Sequence, residues 1–105
     1  METLNFTYNW NRKLDNKVFT TLRLSDRFKE GDIIGIHLGS EIKGNAVVLK
    51  KKSFLLHELD DYTCYLDTGY DAVNTRLILG KMYNNKGVDF TKQPVYCYLI
   101  KYIGK

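Results

Sequence analysis

The sequence predicts an α+β fold: a small, curved, mostly antiparallel sheet or open barrel of about five strands, carrying one well-defined helix. Three stretches predict it. "PVYCYLIKYI" sets Val95, Cys97 and Leu99 on one face and Tyr96, Tyr98, Ile100 and Tyr102 on the other, so both faces are apolar, as in a strand packed on two sides. "DIIGIHL" alternates cleanly, with Ile34, Ile36 and Leu38 opposite Ile33, Gly35 and His37. "AVNTRLILGKMYNN" carries the i, i+4 pairs Val73–Leu77, Ile78–Met82 and Leu79–Tyr83 behind an N-capping Asp71. That spacing predicts an amphipathic helix laid on the sheet.

The other elements follow in chain order. "TLNFTY" alternates as a first strand, with Leu4 and Phe6 on one face. "NWNRKLDNK" is polar with Trp10 and Leu14 at i, i+4, which predicts a short helix or helical turn. "VFTTLRL" reads as a strand or extended loop, and "SDRFKEG" as a turn in which Gly31 frees the backbone. "GSEIKG" is expected as a hairpin loop into "NAVVLKKKSFLL", a strand apolar at its start and solvated at Lys50–Lys51–Lys52. "LHELDDYTCYL" predicts short helical pieces, broken at Gly69, and the later helix is expected to end at "NNKG" with Gly87 making the reversal.

A chain of 105 residues is one domain, residues 1–105, and can bury a core without staples. No apolar stretch approaches the roughly 20 residues of a membrane-crossing helix. "METLNFTYNW" lacks the basic-then-apolar order of a signal peptide, so a cytoplasmic protein without a membrane partner is expected. Cys64 and Cys97 are the only cysteines, and buried free thiols are expected of them. His37 and His57 have no ligand spacing to either cysteine, and the glycines of "GDIIGIHLG" match no phosphate loop. Neither a metal site nor a cofactor is therefore expected.

Charge is segregated. Residues 1–57 carry +4, residues 58–71 carry five acids and no base, and residues 72–105 carry +5, for a net +4. A basic chain of this kind can steer a polyanion. Arg12, Lys13, Lys17, Lys50 and Lys51 are the candidate contacts to a nucleic-acid backbone. The tyrosine face of the last strand could stack bases, but Ile100 in its middle favours burial. In "VFTTLR", Thr20 and Thr21 bring hydroxyls and Arg23 a planar fork suited to phosphate or a base edge. Alternation puts Thr21 and Arg23 on one face and Thr20 on the other. The "DTGYD" stretch offers Asp67, Thr68 and Tyr70 from a glycine-bent loop.

The order of segments adds a resemblance. Phe19-Thr20-Thr21-Leu22-Arg23, Phe28-Lys29-Glu30-Gly31-Asp32, Gly44-Asn45-Ala46-Val47-Val48, Leu56-His57-Glu58-Leu59-Asp60-Asp61 and Leu79 to Tyr83 together resemble the ASCH domain, of the PUA-like superfamily of small β-barrels. The likeness spans roughly residues 3 to 103. It implies a barrel of five or six strands with one or two packed helices, and a cleft between barrel and helix that binds RNA or a nucleobase-like ligand. Thr20, Thr21, Arg23, Asp67, Thr68 and Tyr70 are then the expected ligand-binding residues, with Tyr70 stacking and Asp67 accepting from an exocyclic amine. Some small bacterial members are amidohydrolases of acylated cytidine nucleosides, using a lysine three residues before a threonine nucleophile, and a glutamate. That pattern falls on Val18, Thr21 and about Asp67, so the lysine is missing and the acid is shorter. The catalytic candidates are Thr21, Lys17 and Asp67. RNA or modified-nucleotide binding is the leading expectation, with amidohydrolysis and a protein-interaction module docking through the acidic segment as alternatives.

Overall fold

A computed structural model describes residues 2–82 and 92–104, without the side chains of Trp10, Asn11 and Met82. Among these residues five strands form one sheet in the order β1-β3-β4-β5-β2. They are β1 (Thr3–Phe6), β2 (Val18–Arg23), β3 (Ile33–Leu38), β4 (Glu41–Phe54) and β5 (Val95–Gly104). Helices α1 (Asp61–Thr68) and α2 (Ala72–Met82) complete an α+β fold whose sheet curls into a half-barrel. Three of the four pairings are antiparallel, and β1 alone runs parallel to its neighbour, β3.

Alternation decides which side chains meet. The inner face buries Leu4 and Phe6 from β1, Phe19 from β2, Ile34 and Ile36 from β3, Ala46 and Val48 from β4, and Tyr98 and Ile100 from β5. Leu14 enters from a 3₁₀ helix (Trp10–Asp15), the helical turn expected there. On the outer face Leu22, Val95 and Cys97 meet Leu59, Cys64, Ala72 and Leu79. The sheet thus has a core on each side, as the apolar β5 predicts.

The tyrosine face of β5 is buried, but against the barrel interior, whereas the helices cover the Val95–Cys97 face. Tyr98 is fully buried, and its phenol donates to Ser25 O at 2.8 Å and accepts from Arg27 N at 3.2 Å. Both lone-pair and proton needs of the hydroxyl are met by the loop that closes this end of the barrel.

Two expectations are corrected. The hairpin loop is shorter than "GSEIKG", because β4 already pairs with β3 from Glu41, leaving only Gly39 and Ser40 as the turn. A bulge between Ile36 and His37 takes up the extra residue, and Gly44 sits there at φ +145°, a backbone state glycine adopts freely. The face of α2 is also different. Val73 and Leu77 are 59% and 60% exposed, and the helix instead buries Ala72, Thr75 and Leu79. Ala72 and Thr75 are small enough to let α2 lie close to α1, and the Thr75 and Thr68 hydroxyls bond at 3.0 Å. Asp71 does cap this helix, accepting from Asn74 N at 2.8 Å. Tyr83 and the expected stop at Gly87 lie outside the described residues.

Candidate functional site

The site forms where β2, an edge strand, meets α1 and the 3₁₀ helix. Asp67 lies in the last turn of α1, which begins at an Asp60 cap accepting from Thr63 N at 2.7 Å and ends at Gly69 in the left-handed conformation, φ +82°. That geometry turns Asp67 inward. Lys13 arrives from the 3₁₀ helix and donates to Asp67 Oδ1 at 2.9 Å, and Thr20 Oγ1 donates to the same oxygen at 3.1 Å. Lys13 and Asp67 are each only 3% exposed.

Burial dominates the electrostatics. Loss of water pushes the Lys13 ammonium below its usual range, against the pull of Asp67, and the same loss pushes the Asp67 carboxyl up, against Lys13, Thr20 and Arg23. Both groups are drawn toward their neutral forms.

Thr21 is buried beside this pair and accepts from Arg23 Nε at 3.1 Å. Arg23 extends past it, stacks over the Phe6 ring at 4.6 Å and donates through Nη2 to Asn5 O at 2.9 Å. Thr68 donates to Cys64 O at 2.9 Å and receives Tyr70 N at 3.1 Å. A cleft of about 70 Å³ opens among Lys13, Thr21, Arg23, Asp67, Thr68 and Thr75, floored by Phe6 and walled by α2.

Several expected members are elsewhere. Thr20 touches Asp67 from the outer face and lines a separate groove of about 330 Å³. Tyr70 is 45% exposed and lies outside the cleft lining. Lys17 is exposed and lines a third hollow with Lys43 and Tyr102, away from Thr21 and Asp67. Lys13, expected at a nucleic-acid backbone, is instead buried in the ion pair, so its charge is not presented at the surface. Lys51 turns inward, pairs with Asp26 and lies over the Tyr96 and Tyr98 rings, whereas Arg12 and Lys50 are exposed. Arg12 pairs with Asp15 at 3.6 Å.

Lys13 is thus buried where a surface contact was expected, and Thr75 and Phe6 were not singled out for the site. Nothing in the local sequence, where Asp15 is the nearest acid, hints that Lys13 meets a carboxylate 54 positions away.

Cys64 is buried and Cys97 half-buried, both free, with burial pushing the Cys97 thiol to about 11, so neither is a reactive thiolate at neutral pH. Among the described residues no group of three or more His, Cys, Asp and Glu side chains could hold a metal ion, and no helix is long and apolar enough to cross a membrane. No family model matches the chain, and no curated protein or solved structure is significantly similar to it.

Proposed function

We propose that the chain is a PUA-like, ASCH-type binding domain for RNA or a modified nucleotide, in which the cleft beside β2 reads a small polar group of the ligand. The supporting observation is the convergence of Lys13, Thr21, Arg23, Asp67 and Thr68, from three separate segments, on one cleft. Burying an ion pair is a poor way to gain stability, and perturbed titrating groups in a cleft are a mark of function. At about 70 Å³ the cleft takes the volume of roughly two waters, which suits an exocyclic amine or a sugar hydroxyl rather than a whole base. Exposed Arg12, Lys17 and Lys50 supply the positive field that draws a phosphate chain in.

Fluorescence anisotropy with short single-stranded RNA tests this. Binding is expected at about 50 mM salt, weaker by 200 mM as counterion release predicts, and reduced by Thr21→Val. No affinity at the lower salt overturns the reading.

One observation favours a second reading, hydrolysis of an acylated cytidine-type nucleoside. Lys13 lines the same cleft as Thr21, and burial lowers its pKa, the direction a general base requires. Turnover of a panel of acylated nucleosides, abolished by Thr21→Ala, is the expected result. No turnover with any of the panel removes it.

A further inference from the structure

The groove on the other side of Thr20 is a second, independent feature. Its floor is made by the outer face of three adjacent strands. Thr20 pairs with Leu99 and Leu99 with Lys50, so the three lie side by side in one row, and Cys97 pairs with Lys52 in the next. Tyr62, Thr63 and Leu66 of α1 form the opposite wall, and Phe54 closes one end. The space is about 330 Å³, within the size range of small-molecule sites.

Its chemistry is divided. Leu99, Cys97, Leu66 and Phe54 make an apolar bed, Tyr62 offers a ring that is 76% exposed, and Thr20 and Thr63 bring hydroxyls. Lys50 and Lys52 stand together on the remaining side. Strand alternation sends both outward while Lys51 between them turns to Asp26; neither Lys50 nor Lys52 forms a salt bridge with a described carboxylate, although the Lys52 charge is felt by Asp60 at the start of α1. Two adjacent ammonium groups outside any described salt bridge, beside an apolar, aromatic-walled slot, complement a flat ring system that carries a phosphate. A neutral ring would leave the lysines unused, and inorganic phosphate alone would leave the apolar bed empty.

We propose that the groove between α1 and the outer face of β2, β5 and β4 binds a nucleoside monophosphate unit, with the phosphate between Lys50 and Lys52 and the base against Leu99, Leu66 and Tyr62. The site has its own lining, separate from that of the Thr21 cleft, and meets it through the Thr20 hydroxyl, which donates to Asp67. The unit comes from a free nucleotide or from a single strand, and both present the same ring and phosphate.

Titration of the whole protein with cytidine 5′-monophosphate, followed by backbone amide shifts, tests it. Saturable shifts are expected at Thr20, Leu99 and Leu66, with cytidine and inorganic phosphate each binding about tenfold or more weakly. The Lys50→Gln/Lys52→Gln variant is expected to bring the monophosphate down to the level of cytidine. Leu66→Asp, at a helix position that is 53% exposed, is expected to do the same by placing a negative charge in the slot. Lys43→Gln, away from the groove, is expected to leave the affinity unchanged. A pentacytidylate that binds more tightly than the mononucleotide assigns the groove to a strand, and one that binds equally or less tightly assigns it to the free nucleotide. Absence of saturable shifts, or monophosphate affinity unchanged in the double variant, overturns the proposal. Because cleft substitutions such as Thr21→Val leave the groove intact, its failure is distinguishable from failure of the cleft reading.

Discussion

At the residue scale the molecule turns on Asp67. One carboxylate oxygen accepts both Lys13 and Thr20, at a depth where water contributes little. Removing the acid alone leaves a buried lysine without its partner, so Asp67→Ala is expected to cost about 3–5 kcal/mol in urea unfolding. Replacing both, as Lys13→Met with Asp67→Leu, is expected to recover most of that loss, because two desolvation penalties vanish together. The pH dependence carries an unusual sign. A carboxyl raised in the fold favours the native state most below its unfolded value of 3.8, and that contribution fades as pH climbs through the folded value. A lysine lowered in the fold contributes fully above 10.5, and that contribution fades as pH falls through its folded value. Relative to the double variant, the native protein is therefore expected to gain stability toward both ends of the pH range and to be weakest between them, read by denaturant midpoints at a series of pH values. None of this was legible in the chain. The sequence shows Thr20, Thr21, Arg23 and Asp67 as polar residues in suggestive places, but the acid's partner is chosen by where a six-residue 3₁₀ helix comes to rest.

At the element scale the strands were legible and the helix faces were not. Period-two alternation in β3 and β5 assigns each side chain to a face with no tertiary knowledge, and Ile34, Ile36, Tyr98 and Ile100 are all fully buried as that alternation requires. In α2 two stripes run at helical spacing, and packing selects the less hydrophobic one. Ala72 and Thr75 win over Val73 and Leu77 because close approach to α1 rewards small side chains and a threonine that can bond Thr68. This yields a direct check by thermal unfolding. Leu79→Ala is expected to cost about 2–5 kcal/mol, whereas Val73→Lys and Leu77→Lys are each expected to stay within about 0.5 kcal/mol of the parent. Helix α1 depends on its ends. Asp60→Ala removes the bond to Thr63 N and is expected to cost about 1 kcal/mol, and the loosened first turn carries Tyr62 and Thr63, two residues of the groove wall.

At the scale of the whole molecule the question is how a five-stranded sheet with two free edges closes. Strands β1 and β2 lie at opposite ends of the sheet order and share no ladder among the described residues. The gap is bridged by side chains: Phe6 and Phe19 meet edge to face at 6.1 Å, and Arg23 spans from Thr21 to Asn5 O while lying on Phe6. The same arginine therefore closes the half-barrel and lines the cleft, so cleft shape and barrel closure are coupled. The parallel β1–β3 pairing that makes this arrangement is not readable from "TLNFTY", since alternation specifies a face but no partner or direction. Arg23→Met keeps the apolar stem over Phe6 and removes the guanidinium donors, so the expected loss is about 1–3 kcal/mol, the worth of charge-assisted bonds that are only partly buried. Because β1 is held on one side by a four-residue ladder and on the other by this bridge, the loss is expected to be local. In native-state hydrogen exchange the variant should lose protection first at the β1–β3 contacts, including Gly35 N on Glu2 O and Gly39 N on Phe6 O, while the β4–β5 amides keep theirs. Equal loss across all five strands would show instead that Arg23 acts on the global core, and that closure of the barrel does not depend on its side-chain bridge.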